Sequence, residues 1–285
     1  MVGTNEYTPK ARILGAELRE CRKQTGLTVR DLANRVGTSH VTISRYETGT
    51  RTPQPEDVAR ILGTLGVTGT RYDEIVEFAR TAGNKNTFAR SSSSTHKHLV
   101  ELAEFERTAS NIVDVAPNLL PGLLQTADYA RQIMHGLPAE EREIRVGLRM
   151  SRRDVLFAKA APKLAVLVSE HALRQPLGGA EIMSEQLRHV LRMAAIDNVI
   201  VRVIPDGLTR YTAAQDGAFV LYEFAKAPPI VHLEHFRAPA FLFDAKDVAA
   251  YRDAVAELRS LSLSSSDSAD LIATIAEEME GQSCR

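Results

Sequence analysis

The sequence has few cysteines, no long apolar run and almost no net charge, and each absence excludes a class of protein. Among 285 residues there are only two cysteines, Cys21 and Cys284, near opposite ends. We therefore expect no disulfide framework, and we expect the protein to reside in a reducing compartment. No segment approaches the ~18 apolar residues of a membrane-spanning helix, and residues 1–12 lack the apolar core of a signal peptide. We expect a cytoplasmic protein with no membrane partner.

The near-neutral balance hides an uneven distribution of charge. The chain carries 35 Lys and Arg against 36 Asp and Glu, and 44% of its residues are hydrophobic, enough for a folded core. Residues 1–90 hold 14 basic and 10 acidic side chains, whereas residues 91–285 hold 21 and 26. A mildly basic N-terminal part indicates that this end of the chain meets a polyanion.

Five short helical patterns occupy residues 1–85. Leu14, Leu18 and Cys21 recur on one helical face, and Gly26 ends that helix. Thr28 and Asp31 form a capping pattern for the second helix. Helices with short connections predict a compact all-α domain.

Residues 86–95 form a serine-rich stretch that we interpret as a short linker. The chain from 96 to 285 then begins with a predicted helix over about 96–112 and later changes its periodicity. Apolar, β-branched and aromatic runs predict about four or five strands in an α+β domain. These runs are 163–169, 199–204, 217–224, 230–235 and the short segment 241–243.

Residues 27–53 have the pattern of two helices that cross over a tight turn. Ala33 is the small residue where the helices approach, and Gly37 permits positive φ in the turn. Ile43 is the apolar anchor of the second helix. This spacing predicts a helix-turn-helix whose second helix enters the DNA major groove.

Further residues around this motif fit one family pattern: Leu14-Gly15, Leu18-Arg19, Arg22, Gly26-Leu27-Thr28, Leu32-Ala33, Gly37, Ile43-Ser44-Arg45-Tyr46-Glu47, Gly49, Arg51 and Pro53. With this spacing, residues 14–66 resemble the Xre/Cro/lambda-repressor class of regulators. The resemblance implies double-stranded operator DNA as a partner. It also implies that Glu47 pairs with Arg22 in a structural role, and breaking such a pair would cost ~3–5 kcal/mol if it is buried.

Eight residues are candidate DNA contacts by this resemblance: Thr28, Val29, Ser39, His40, Val41, Thr42, Arg45 and Arg51. Arg45 has the side chain that most often binds guanine O6 and N7. His40 can read a base edge, and Val41 can pack on a thymine methyl group. The threonines, Val29 and Arg51 are expected at the phosphate backbone.

A second set of residues lies between 96 and 262: Pro121-Gly122-Leu123-Leu124-Gln125-Thr126, Tyr129-Ala130, Ser169-Glu170, Ala172-Leu173-Arg174, Gly178-Gly179, Met183 and Gln186-Leu187. This set is similar to the actinobacterial WhiJ-type, antitoxin-like Xre regulators. The similarity implies control of a neighbouring gene and a small partner protein. Here Asn118-Leu119-Leu120 replaces the family's usual valine-containing approach to the Leu-Pro-Gly stretch.

Three polar residues of this region suggest a pocket. His232 and Glu234 share a strand face, and Glu170 lies at another strand end. They can line a pocket for a cationic effector, but no nucleophile accompanies them. His96 and His98 have no third ligand at metal spacing, so neither a metal site nor a cofactor is predicted.

We therefore expect a sequence-specific transcriptional regulator, a repressor that binds an inverted repeat as a homodimer and is modulated through its C-terminal domain. A small molecule or a small protein is the expected modulator. Two alternatives stay open. One is an antitoxin-like interaction module for which DNA binding is secondary. The other is an enzyme fused to a DNA-binding domain, which we do not expect.

Overall fold

A computed structural model describes residues 9–82, 88–90, 95–225, 227–234 and 240–283. We call residues 9–82 the head and the described residues from 88 onward the body. The five predicted helices of the head are confirmed: α1 Pro9–Gln24, α2 Val29–Val36, α3 His40–Glu47, α4 Pro55–Thr64 and α5 Thr70–Ala82.

The core of the head forms from the apolar stripes of these helices. Leu14, Leu18 and Cys21 of α1 are buried, as their spacing predicts, and they pack with Leu32 of α2 and Ile43 of α3. Burial raises the pKa of the Cys21 thiol to about 11. The thiol therefore stays protonated at neutral pH and acts as a small core residue.

The body combines seven helices with a seven-stranded sheet. Its helices are α6 Thr95–Thr108, α7 Ala127–Ile133, α8 Ala139–Arg152, α9 Glu170–Arg174, α10 Ala180–Ala194, α11 Ala245–Leu261 and α12 Ser265–Ser283. Its strands are β1 Phe88–Arg90, β2 Asn111–Ala116, β3 Lys163–Ser169, β4 Val199–Ile204, β5 Phe219–Glu223, β6 Ile230–Leu233 and β7 Ala240–Leu242.

The strand order is β1-β7-β6-β5-β2-β3-β4. Strands β2, β3 and β4 are parallel, and the remaining pairs are antiparallel. Asp114 lies in the middle of β2, where its partners are Val166 on one side and Val220 on the other. His232 and Phe241 continue this row across β6 and β7. Residues in one row share a face of the sheet, so Asp114 and His232 face the same way.

Each face of the sheet is covered by helices. The face with Asp114 packs on an apolar cluster that includes Phe105 of α6, Leu187 of α10 and Ile275 of α12. The opposite face packs on α11 through Val255 and Leu258. The body is therefore a three-layer α/β/α arrangement, in which β2 is central and covered on both faces.

The predicted fold class is confirmed, with seven strands where four or five were expected. The helix predicted over 96–112 ends at Thr108, and Ile112 lies in β2. The β-branched segment pairs with β3 and β5 instead, and these partners lie far away in the sequence. Phe88–Arg90, within the predicted linker 86–95, pairs with β7. Residues 86, 87 and 91–94 of that linker lie outside the described residues.

Candidate nucleic-acid interface

The turn between α2 and α3 sets the position of the second helix. Gly37 has φ +74°, a value that L side chains rarely adopt, and the Thr38 amide donates to the Ala33 carbonyl oxygen at 2.9 Å. Ala33 and Ile43 are both buried at 1% exposure. The local sequence thus produces a helix-turn-helix in which the buried side of α3 is fixed and the other side faces outward.

Thr28 caps the N-terminus of α2, and its polar groups are engaged in hydrogen bonds with Asp31. Its hydroxyl accepts from the Asp31 amide, and the Asp31 carboxylate accepts from both the Thr28 amide at 3.0 Å and the hydroxyl at 2.6 Å. These bonds lower the pKa of Asp31. Val29, the next residue, is half-buried. A phosphate contact from the Thr28 hydroxyl therefore requires that one of these capping bonds be exchanged.

Ser39 caps α3 in a similar way. Its hydroxyl accepts from the Thr42 amide at 3.1 Å and lies 2.9 Å from the Thr42 hydroxyl. The side chains of His40, Val41 and Arg45 are exposed, and Val41 keeps 44% of its surface accessible. Unlike Ser39 and Thr42, these three predicted contact residues use no side-chain atom in a helix-capping hydrogen bond with a described residue.

Ser44 is an exposed residue of α3 that our sequence-based assignment missed. It lies three positions after Val41 and one before Arg45, between the buried residues Ile43 and Tyr46. On a helix, positions separated by three or four share a face. Because Ile43 and Tyr46 mark the buried side of α3, helical spacing from these two residues was the signal that could have placed Ser44 on the exposed side.

Two arginines define the charge of this surface. Among the described residues, the Arg45 guanidinium makes no ion pair, and the residue is exposed to solvent. The Arg51 guanidinium lies 5.7 Å from the centre of the Tyr46 ring, and its amide donates to the Arg45 carbonyl oxygen at 3.2 Å. Such a contact limits the Arg51 side chain to fewer conformations. The Tyr46 hydroxyl in turn donates to Asp57 at 2.9 Å.

An ion pair fixes α3 against α1. Arg22 donates through Nε and Nη2 to the two carboxylate oxygens of Glu47 at 2.7 and 2.8 Å, and through Nη1 to the Leu27 carbonyl oxygen at 2.8 Å. The hydrogen bond with Glu47 raises the pKa of Arg22 despite burial. The side chains are only 12% and 5% exposed. Glu47 therefore faces the interior of the head and adds no negative charge to the exposed side of α3.

The close approach of α1 and α3 depends on Gly15. A Cβ built at Gly15 would lie 2.9 Å from backbone atoms of Glu47 and would overlap the Tyr46 carbonyl oxygen. Arg19 also donates to the Glu47 carbonyl oxygen at the end of α3. Helix α1 thus holds the C-terminal end of α3 through both shape and charge.

The head is joined to the body through α1 and α6. Arg19 forms an ion pair with Glu104 at 2.7 Å, and Arg12 donates to the Thr108 hydroxyl. The Arg12 guanidinium also lies 3.8 Å from the centre of the Phe224 ring, beyond β5. Arg19 therefore contacts both the end of α3 and helix α6 of the body.

The three residues of the predicted pocket do not lie together. Glu170 accepts from Arg174 at 2.7 Å and from the Asp206 amide at 3.2 Å, and these bonds lower its pKa. It follows β3, three strands away from His232 on β6, which is roughly 14 Å at the usual strand spacing. His232 is fully buried against Phe241, with ring centroids 4.9 Å apart, and Glu234 is exposed. Glu170 is therefore not part of a site with the other two.

The described part of the chain contains neither a cluster of metal-ligating side chains nor a membrane-spanning helix. No group of three or more His, Cys, Asp or Glu side chains there can hold a metal ion. The side chains of His96 and His98 lie outside that part. None of the described helices has both the length and the apolar character that a bilayer crossing demands.

Two family models match the chain. A helix-turn-helix domain matches residues 13–75, and a domain of unknown function, DUF5753, matches residues 99–274, which is more than half of the chain. The first match covers all of α2, α3 and α4, most of α1 and the first six residues of α5. No curated protein and no solved structure matches the chain.

Proposed function

The chain belongs to the family of the domain of unknown function DUF5753, here preceded by a helix-turn-helix domain, and on that premise we propose a cytoplasmic, sequence-specific transcriptional regulator of the Xre class and WhiJ type. The observation that carries the proposal is the exposed side of α3. His40, Val41 and Arg45 stand there with their side chains open, while Ile43, Tyr46 and Glu47 fix the helix from behind.

The chemistry of these side chains suits the major groove. Arg45 has the paired donors that bind guanine O6 and N7, His40 can donate to or accept from a base edge, and Val41 can contact a thymine methyl group. Arg51 and the backbone amides near Ser39 are suited to phosphate contacts, which position a protein without reading sequence. We assign base recognition to the first three residues and backbone contact to Thr28, Val29, Ser39, Thr42 and Arg51.

A dimer is the oligomeric state that we propose on physical grounds. A single helix-turn-helix module buries only ~600–1,000 Å² on DNA, which limits its affinity. Two copies related by a two-fold axis read an inverted repeat whose half-sites are about 10 bp apart. We propose repression rather than activation, because repression requires only that the protein occupy the operator.

Regulation through the body is supported by the contacts of α6. Glu104 of α6 pairs with Arg19, which also donates to the carbonyl oxygen at the end of α3. A shift of α6 against α1 would therefore change what holds the C-terminal end of the recognition helix. A modulator that binds the body can act on DNA affinity by this route if it favours one of the two arrangements.

Selection from random double-stranded DNA tests the proposal. The full chain is incubated at ~150 mM salt, because phosphate contacts alone give binding at low salt. We expect an enriched motif with two-fold symmetry that Arg45→Ala loses at one base position of each half-site. Arg192→Ala removes an exposed arginine from α10 of the body and should leave the motif unchanged.

A folded chain that enriches no motif would contradict sequence-specific binding by this protein alone. In that case the antitoxin-like alternative gains weight. It is tested by repeating the selection with a co-purified partner protein.

A further inference from the structure

A cavity of about 370 Å³ lies where the head meets the body. We call it the junction cleft. Three helices supply its lining: Arg19 and Lys23 of α1, Ser44, Glu47 and Thr48 in and directly after α3, and Arg107 of α6. Lys23, Ser44 and Arg107 are exposed, so the cleft opens to the surface. Head and body therefore contribute side chains to a single cavity.

Positive charge dominates the junction cleft. Three of its six lining residues are cationic, and both carboxylate oxygens of Glu47, its one acidic residue, are bound by Arg22. Arg19 and Arg107 share the carboxylate of Glu104 on α6, at 2.7 and 3.0 Å. One negative charge is therefore divided between two guanidinium groups. The excess of positive charge suits an anionic ligand.

Two donors of the cleft have no partner among the described residues. Lys23 forms no ion pair there, and the Ser44 hydroxyl makes no hydrogen bond there. Arg19, in contrast, is held in place, because it donates to Glu104 and to the Glu47 carbonyl oxygen. That second bond satisfies an acceptor at the C-terminal end of α3, which would otherwise repel an anion. An anion in the cleft can thus bind Lys23 and Ser44 without breaking a contact of the fold.

The cleft lies at the end of a row of residues on α3. Val41, Ser44 and Thr48 form this row, because helical positions three or four apart share a face. The row runs from a proposed base contact to the cleft. From Val41 to Thr48 the helix rises ~10 Å, whereas the major groove is ~8.5 Å deep with phosphates along its rim. When the N-terminal part of α3 contacts base edges, its C-terminal end therefore lies near phosphate groups.

We propose that the junction cleft binds phosphate groups of the operator backbone through Lys23 of the head and Arg107 of the body. Both side chains are cations that pair with phosphate, and the Ser44 hydroxyl adds a neutral donor. Arg19 is a positioning residue, since it contacts both Glu104 and the end of α3. The body is then part of the DNA-binding surface.

This inference rests on the proposed function and extends it to the body. Arg107 can reach the DNA only while α6 lies against α1, and the ion pair of Arg19 with Glu104 is one of the contacts that join these helices. A modulator that separates them removes a phosphate contact. Affinity should then fall on every sequence, while the preferred sequence stays the same.

The test is the affinity of the full chain over a salt series, measured with the selected operator and with an unrelated duplex. Arg107→Gln and Lys23→Gln should each weaken binding to both duplexes to a similar degree. Each should also decrease the slope of log K against log salt by about one. Arg107→Lys keeps the charge and should bind nearly as the parent chain does.

Arg192→Gln is the matched control. Arg192 is 57% exposed and pairs with a glutamate of its own helix, as Arg107 does at 56% exposure. This variant should leave the slope unchanged. Lys23→Gln separates DNA binding from a structural effect, because Lys23 has no ion pair with a described residue to lose.

A slope that stays at the parent value in either Arg107→Gln or Lys23→Gln would overturn the inference. Loss of the selected motif in Arg45→Ala would still support the proposed function in that case. A parent chain that binds neither duplex would overturn both.

A phosphorylated small molecule is the other source of the same chemistry. The melting temperature of the parent chain and of Arg107→Gln is therefore measured with inorganic pyrophosphate, against chloride at equal ionic strength. We expect the two chains to respond alike. A rise in Tm for the parent chain alone, together with an unchanged salt slope on DNA, would assign the cleft to a free ligand and overturn its assignment to the operator backbone.

Discussion

The exposed arginines of the head and the buried arginines of the body have opposite relations to their surroundings. Among the described residues, Arg45 makes no ion pair, and Arg51 rests on the Tyr46 ring with its charge accessible. Arg152 is enclosed with Glu106. An exposed guanidinium contributes little to folding and is available to an external anion. A buried one is part of the fold, so its loss should be visible in stability rather than in DNA affinity.

The largest effect should come from breaking the buried pair. Glu106→Gln leaves Arg152 charged and unpaired in the interior, so the free energy of unfolding should fall by ~3–5 kcal/mol, measured by urea denaturation. Glu185→Gln, whose partner Arg192 is 57% exposed, should cost less than ~1 kcal/mol. Equal losses in the two variants would mean that burial of the Glu106 pair has no energetic weight.

Arg45→Ala should have the opposite profile. The variant should keep the stability of the parent chain within ~0.5 kcal/mol, because Arg45 is exposed and makes no ion pair with the described residues. Its affinity for the selected operator should fall by ~1–3 kcal/mol, as expected for loss of a bidentate base contact. Titration by fluorescence anisotropy at fixed salt measures this loss. If Arg45→Ala instead lost stability and kept its affinity for the operator, Arg45 would be a structural residue and not a DNA contact.

The effect of burial on Asp114 of the body can be tested through the pH dependence of stability. Its pKa is raised in the folded state from the ordinary value of 3.8, so folding is favoured when it is protonated. That stabilising contribution is complete below pH 3.8 and is lost as the pH rises through the folded-state pKa. Asp114→Asn should therefore be more stable than the parent chain at pH 8, and the gap in urea midpoint should close on acidification. A difference in urea midpoint that does not change with pH would contradict a raised pKa of the Asp114 carboxyl group.

The smallest effect should be that of Arg51→Ala. If Arg51 contacts a phosphate, affinity should fall to a similar degree on all sequences, and the slope of log K against log salt should decrease by about one. Binding to the operator and to an unrelated duplex is compared over a salt series. Loss of discrimination between the two duplexes would instead assign Arg51 to base recognition.

The head could be predicted from sequence to a greater depth than the body. The Thr28–Asp31 cap and the Gly37 turn involve residues a few positions apart, so local spacing was sufficient to predict them. The body depends on pairings between distant segments. Strand β2 was not predicted, and its first two residues were assigned to the end of a helix, since its apolar β-branched residues acquire their role only between β3 and β5. Burial of the central strand on both faces removes the alternation that marks exposed strands.

The candidate site shows the same division. The sequence determined the helix-turn-helix, its caps and the side chains that α3 presents, because helical periodicity and turn chemistry act within a few residues. Tertiary structure alone decided that Glu106 and Arg152 meet across 46 residues and that Arg19 and Glu104 meet across 85. Such contacts depend on how helices pack on a sheet, and no local pattern encodes the distance between two charges that the chain brings together only when it is folded.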